Sequence, residues 1–171
     1  GDMSNKTIII PKYIDGSFNR NIYHTGKLTL KFSSYTPNSI GMNLNNQYNC
    51  SYGYITVENC ETSFFGKSVF GTSWDVFHSK NALKGFVLNP LASQSAGSAC
   101  TSLIGSVYVD GAKFGIEVTN VMYSNIDGYV QGYYQAPVAG TDLAIALHII
   151  NGCQSTRFKL GGIEPTAHTF K

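Results

Sequence analysis

The sequence predicts an all-β fold, built as a β-solenoid whose coils are about 30 residues long. Composition is the first reason: the 171 residues include 18 glycines, 11 tyrosines and 10 phenylalanines, a balance typical of strands joined by frequent turns. The second is the alternation of apolar and polar residues at Ile116/Val118 and Leu147/Ile149, which has the two-residue period of a strand. The third is an internal repeat.

The repeat consists of four segments that align without a gap. Each carries a β-branched residue, an Asn two positions later and a Ser four positions after that: Val57/Asn59/Ser63, Val87/Asn89/Ser93, Val118/Asn120/Ser124 and Ile149/Asn151/Ser155. Successive Asn residues are 30, 31 and 31 positions apart, which indicates one unit stacked along an axis, with strands about 4.8 Å from their equivalents. We expect the four Asn side chains to stack in one turn column, because Asn tolerates left-handed backbone and stacked amides can hydrogen-bond.

The repeat also divides the chain. Residues 1–2 are interpreted as a tag remnant, 3–52 as an N-terminal cap or degenerate first coil, 53–162 as the β-helix coils and 163–171 as a C-terminal tail. The segment 28–32 alternates like a strand but has Leu30 in the place of the Asn, as expected of a terminal repeat.

The succession of strand, Asn turn and strand in residues 55–64 and 147–153 resembles the right-handed parallel β-helix of the pectate-lyase superfamily. Within it, the weakly charged sequence rich in Tyr, Ser and Asn is similar to bacteriophage tailspikes and tail appendages. This resemblance implies a homotrimer that binds or cuts host surface polysaccharide, located in the virion tail or otherwise extracellular without a visible signal peptide. A coil of about 30 residues is longer than in the usual short-coil members of this superfamily, so the resemblance also implies an excursion between strands in each turn.

Other partners and cofactors are not expected. The net charge of +2 comes without a basic block, which argues against nucleic-acid binding. No apolar run approaches the roughly 20 residues of a membrane span. The four cysteines match no metal-binding spacing, so we expect no cofactor. We expect four free thiols, because the predicted coils separate Cys60 and Cys153 by more than a disulfide can span.

Aromatic residues beside polar ones suggest where a sugar could bind. Trp74, Asp75 and His78 lie together in an excursion-length segment, and Tyr133 and Tyr134 lie in a stretch rich in Gly and Pro that is typical of a loop. Aromatic faces with neighbouring carboxylates suit the apolar faces and hydroxyl rims of sugars. The alternative for Trp74 is packing inside the coil.

Catalysis has weaker support. Glu117 and His148 are expected in one column of neighbouring coils, about 5 Å apart, either as an acid/base couple or as a surface ion pair, and Asp75 is a further candidate. Asp127 and Arg157 are expected to form a structural pair. The ten acidic residues show no convincing pair with the separation that a glycosidase requires.

Three functions therefore remain: a tailspike or appendage module that binds polysaccharide, a polysaccharide hydrolase or lyase of the same fold, and a trimerising stalk without a ligand. The alternation places Phe86, Leu88 and Ile150 on the outside of the coils, where a second chain could cover them. This placement and the resemblance together predict a homotrimer.

Overall fold

The structure, a computed structural model, describes residues 19–89, 99–131, 145–164 and 168–170. These residues form β-strands joined by short turns, as predicted. The strands are β1 (Asn19–Arg20), β2 (Tyr23–Asn43), β3 (Gln47–Tyr48), β4 (Ser51–Gly66), β5 (Val69–Phe70), β6 (Ser73–Leu88), β7 (Cys100–Thr101), β8 (Ile104–Thr119), β9 (Val121–Met122), β10 (Asn125–Gln131), β11 (Ile145–Asn151), β12 (Arg157–Glu164) and β13 (His168–Phe170). No helix in this part of the chain is long and apolar enough to cross a bilayer.

The strands pair in parallel in two sheets. The smaller sheet has the order β1-β3-β5-β7-β9, and the larger has the order β12-β10-β8-β6-β4-β2, with β11 paired to both β8 and β13. From β1 to β10 short and long strands alternate along the chain, so each of these passes contributes to the smaller sheet and then to the larger one. Stacked parallel passes of this kind are compatible with the predicted β-solenoid.

The length of a pass differs from the predicted period. Ser51 in β4 lies opposite Ser73 in β6, so the chain advances by 22 positions (73 − 51) in this step. Leu88 in β6 lies opposite Val118 in β8, which is an advance of 30 positions (118 − 88). A pass of 30 residues is therefore a shorter pass with extra residues. The prediction of an excursion in every turn is wrong for the pass from β4 to β6.

The four Asn residues predicted to form one column lie at two different corners of the structure. Asn59 lies against Asn81, whose Nδ2 donates a hydrogen bond to Asn59 Oδ1 at 3.3 Å. The expected stacking of Asn59 on Asn89 is therefore wrong, because Asn89 follows the far end of β6. Asn120 and Asn151 do meet in neighbouring passes, where the backbone N–H of Asn120 donates to the carbonyl of Asn151 at 2.9 Å.

A third corner follows each short strand, and there every described pass turns at a residue with left-handed backbone. Asn supplies this conformation at modest cost and Gly at almost none. The side chains of two members also pair, since Asn49 Nδ2 donates to Asn21 Oδ1 at 3.0 Å. The corner residues, with φ between 48° and 57°, are Asn21, Asn49, Gly71, Ser102, Tyr123 and Ser155.

Aromatic rings fill the interior between the sheets. Phe77, fully buried, stacks on Phe64 at 4.6 Å between centroids and on Trp74 at 4.8 Å. Trp74 lies over Gly105, where a Cβ would collide with the indole ring. Glycine at this position therefore lets neighbouring strands approach around the largest side chain of the core.

Two residues predicted to face outward lie in the core. Phe86 and Leu88 are 0% and 1% exposed, so their outward placement is wrong. Their outward placement assumes that the inward direction of Val57 applies at the aligned position in the next repeat. Val57 precedes the corner at Asn59, whereas Phe86 and Leu88 follow the corner at Asn81, and the chain changes direction at these corners. Ile150 is 36% exposed and remains the one outward apolar residue of the predicted three.

The prediction of four free thiols is confirmed. Cys50, Cys60 and Cys100 are buried and Cys153 is half-buried, and none of the four forms a disulfide. Burial raises the pKa of the Cys60 and Cys100 thiols to about 11, so both are protonated at neutral pH and behave as small apolar side chains.

Candidate functional site

An open groove of about 390 Å³ crosses the outer face of the larger sheet. It runs across the strands, from β4 through β6 and β8 to β10, over a distance of three strand spacings, or about 14 Å. Three tyrosines wall it, Val76, Val107 and Gly128 provide apolar lining, and Ser106 and Asp127 add polar groups. The complete lining is Tyr54, Val76, Ser106, Val107, Tyr108, Asp127, Gly128 and Tyr129.

Strand register places the rings in a row. His78 lies opposite Tyr108, and Tyr108 lies opposite Tyr129. Tyr108 and Tyr129 stack with centroids 4.7 Å apart and planes 21° apart, while His78 meets the Tyr108 ring edge-on at 4.6 Å. Because side chains on one face of neighbouring strands are adjacent, these rings support one another and form a continuous aromatic surface.

Hydrogen bonds hold two of the tyrosine walls. The Tyr54 hydroxyl lies 2.9 Å from His78 Nδ1, and the Tyr108 hydroxyl donates to Gln131 Oε1 at 2.9 Å. Burial lowers the pKa of His78 below its ordinary value of 6.5, and the nearby Lys80 ammonium lowers it further. His78 is therefore neutral at pH 7.

Asp127 is the only charged residue among the described residues that line the groove. Its Oδ1 lies 3.6 Å from Arg157 Nη2 and accepts no hydrogen bond from the described residues. Arg157 comes from the neighbouring strand β12, where its Nε donates to Asn125 Oδ1 at 2.6 Å. The expected contact between Asp127 and Arg157 is confirmed. One end of the groove consequently carries the carboxylate of Asp127, with the Arg157 guanidinium beside it and outside the groove.

The residues predicted to contact sugar are dispersed by the structure. Trp74 lies in the core, where its indole N–H donates to the Ser106 carbonyl at 2.8 Å, as in the packing alternative. Asp75 is exposed where the strand register shifts, and His78 lies beneath the tyrosine walls of the groove. Tyr133 and Tyr134 lie outside the described residues.

Glu117 and His148 are adjacent, as predicted. They lie opposite each other in β8 and β11, with Glu117 Oε2 3.2 Å from His148 Nδ1. Glu117 Oε1 also accepts a hydrogen bond from Lys84 Nζ at 2.8 Å, and the Glu117 side chain is only 6% exposed. Neither Glu117 nor His148 lines the groove. Lys84 and the buried Glu117 carboxylate form an ion pair, and an acid/base role for Glu117 and His148 remains a prediction.

Sequence reasoning missed the tyrosine walls because the 30-residue period concealed the pairing that brings them together. Tyr108 and Tyr129 pair directly although they are only 21 positions apart (129 − 108). A search for the shorter period would have aligned them. The described residues contain no group of three or more His, Cys, Asp and Glu side chains that could hold a metal ion.

Comparisons with known proteins do not assign the chain to a family. No model of a protein family, no curated protein and no solved structure matches it.

Proposed function

We propose that this chain is a polysaccharide-binding module built on a right-handed parallel β-helix, of the kind found in bacteriophage tailspikes and tail appendages, and that the groove holds host surface polysaccharide. The phage context and the virion location rest on the sequence resemblance. The groove walled by Tyr54, Tyr108 and Tyr129 is the observation that carries the binding function.

The chemistry of the groove suits a sugar chain. Pyranose rings present apolar C–H faces that pack on aromatic rings, and their hydroxyl groups need donors and acceptors at the rim. Tyr108 and Tyr129 supply the stacked rings, and Asp127 and Ser106 supply polar atoms. The groove is open and long enough for several linked sugars, as binding within a polymer requires.

Removing one tyrosine wall is expected to weaken binding to polysaccharide by about tenfold or more, which corresponds to about 1.4 kcal/mol. Tyr129→Ala is the first variant to measure, because the ring is 38% exposed and its loss removes a stacking surface without opening the core. The measurement is affinity for whichever bacterial polysaccharides the unaltered chain captures on a glycan array.

Tyr123→Ala is the matched control, since this tyrosine is 60% exposed and lies outside the groove. It should leave affinity unchanged. Equal losses in the two variants would contradict the groove as the binding site, and the absence of binding to any glycan would favour the stalk without a ligand. Shortening of a bound polysaccharide would favour the depolymerase.

The proposal includes a homotrimer, which the sequence resemblance implies. Phe86 is buried within its own chain, so the trimer contact would have to involve other residues, among which Ile149 and Ile150 are exposed neighbours at the end of β11. Light scattering at micromolar concentration is expected to give three times the chain mass of 18.6 kDa. A monomeric mass would exclude the trimer and leave the groove proposal standing.

A further inference from the structure

We infer that the groove selects neutral or amino-bearing glycans and rejects acidic ones, and that Asp127 makes this selection. The inference rests on the proposed function, because it names the class of polysaccharide for the same groove. It starts from the position of the charges at the β10 end of the groove, beside strand β12.

A ligand in the groove contacts the carboxylate of Asp127 and not the neighbouring cations. Asp127 lines the groove and its side chain is 48% exposed, whereas Arg157 and Lys159 belong to β12 and do not line it. Lys159 lies opposite Asp127 in the strand register, and Arg157 reaches the same carboxylate from the side. Asp127 is therefore the charged group that lines this end of the groove, and the nearby Arg157 is already engaged by it.

A carboxylate in this position accepts hydrogen bonds and repels like charge. Asp127 Oδ1 faces Arg157 and is itself buried, but the side chain as a whole is 48% exposed. The exposed part of the carboxylate therefore has capacity for the hydroxyl or ammonium donors of a sugar. A uronate, a sialate or a phosphate at the same place would set two anions side by side. The Tyr108 hydroxyl does not offset this repulsion, because its proton is already donated to Gln131.

Because Arg157 lies beside Asp127, a single substitution of Asp127 is expected to reverse the preference for neutral over acidic glycans. In Asp127→Asn the groove keeps its shape, but the anion is lost and Arg157 is left without its carboxylate partner. The end of the groove then becomes positive. Binding to acidic glycans is expected to rise at least about fivefold relative to neutral ones, which is the Coulomb interaction of two unit charges about 4 Å apart in water, expressed as a ratio.

The experiment compares the unaltered chain, Asp127→Asn and Asp110→Asn on an array of bacterial surface polysaccharides that includes neutral, amino-bearing and acidic members. Asp110→Asn is the matched control, because this exposed carboxylate lies on the same strand, β8, as Tyr108 but does not line the groove. We expect neutral or amino-bearing ligands for the unaltered chain and for Asp110→Asn, with a shift toward acidic ligands only in Asp127→Asn.

The outcomes separate this inference from the proposal beneath it. Strong binding of the unaltered chain to acidic glycans, or the same ligand profile in all three proteins, would overturn the selection by Asp127 and leave polysaccharide binding intact. Failure of the unaltered chain to bind any glycan would overturn both. Equal shifts in the two variants would show a general effect of charge and would also overturn the inference.

Discussion

Replacing Phe77 by alanine is expected to lower the free energy of unfolding by about 3–5 kcal/mol. Phe77 is fully buried and its ring packs on four others: Phe64, Trp74, Tyr52 and Phe86. Truncation would remove its buried apolar surface and leave a cavity that flat stacked neighbours cannot easily fill. Denaturant titration of the purified variant measures the change.

Two further variants keep this test informative. Phe77→Leu retains most of the volume and is expected to lose less stability, so it remains measurable if the alanine variant does not fold. Tyr23→Ala removes a ring of similar size that is 68% exposed and should change stability by no more than about 0.5 kcal/mol. Similar losses in Phe77→Ala and Tyr23→Ala would contradict the placement of Phe77 at the centre of the core.

Replacing Lys84 by methionine is expected to destabilise the protein by about 3 kcal/mol, the lower end of the cost of leaving a buried charge without its partner. Lys84 Nζ lies 2.8 Å from Glu117 Oε1, and the two side chains are 29% and 6% exposed. Methionine preserves the packing of the long side chain, so the loss reports the charge. His148 still contacts the other carboxylate oxygen, which keeps the effect below the maximum.

The same substitution at Lys80 provides the comparison. Lys80 Nζ lies 3.9 Å from Glu58 Oε1, near the surface, and pairs of this kind contribute about 0–1 kcal/mol. Thermal unfolding of both variants under identical conditions measures the difference. If Lys84→Met and Lys80→Met had equal effects, Glu117 would not depend on Lys84 as the structure indicates.

The class of fold could be predicted from the sequence because its signals are local. Strand alternation and the abundance of Gly, Asn and aromatic residues report directly on extended backbone and turns. The contact between Glu117 and His148 was also predictable, because the spacing used for it, 31 positions (148 − 117), is the true advance between β8 and β11. Where the assumed spacing matched the register, neighbouring side chains were correctly paired.

The groove could not be predicted in the same way, because pairing across strands depends on the length of each pass. Tyr54 and Val76 pair at a separation of 22 positions (76 − 54), while Val76 and Ser106 pair at 30 (106 − 76). A single period fits only one of these steps. The position of Trp74 was equally hidden, because its burial depends on Gly105, which lies opposite it in the next strand of the larger sheet.

Unequal pass lengths have an evolutionary consequence. The larger sheet keeps its parallel register from β4 to β8, although the paired positions are farther apart along the chain in the second step than in the first. Closing a longer connection costs only slowly increasing entropy, so steps of unequal chain length fit the same parallel register. A scaffold of this kind can therefore gain or lose residues between its strands in the course of evolution while the register that aligns its tyrosines stays the same.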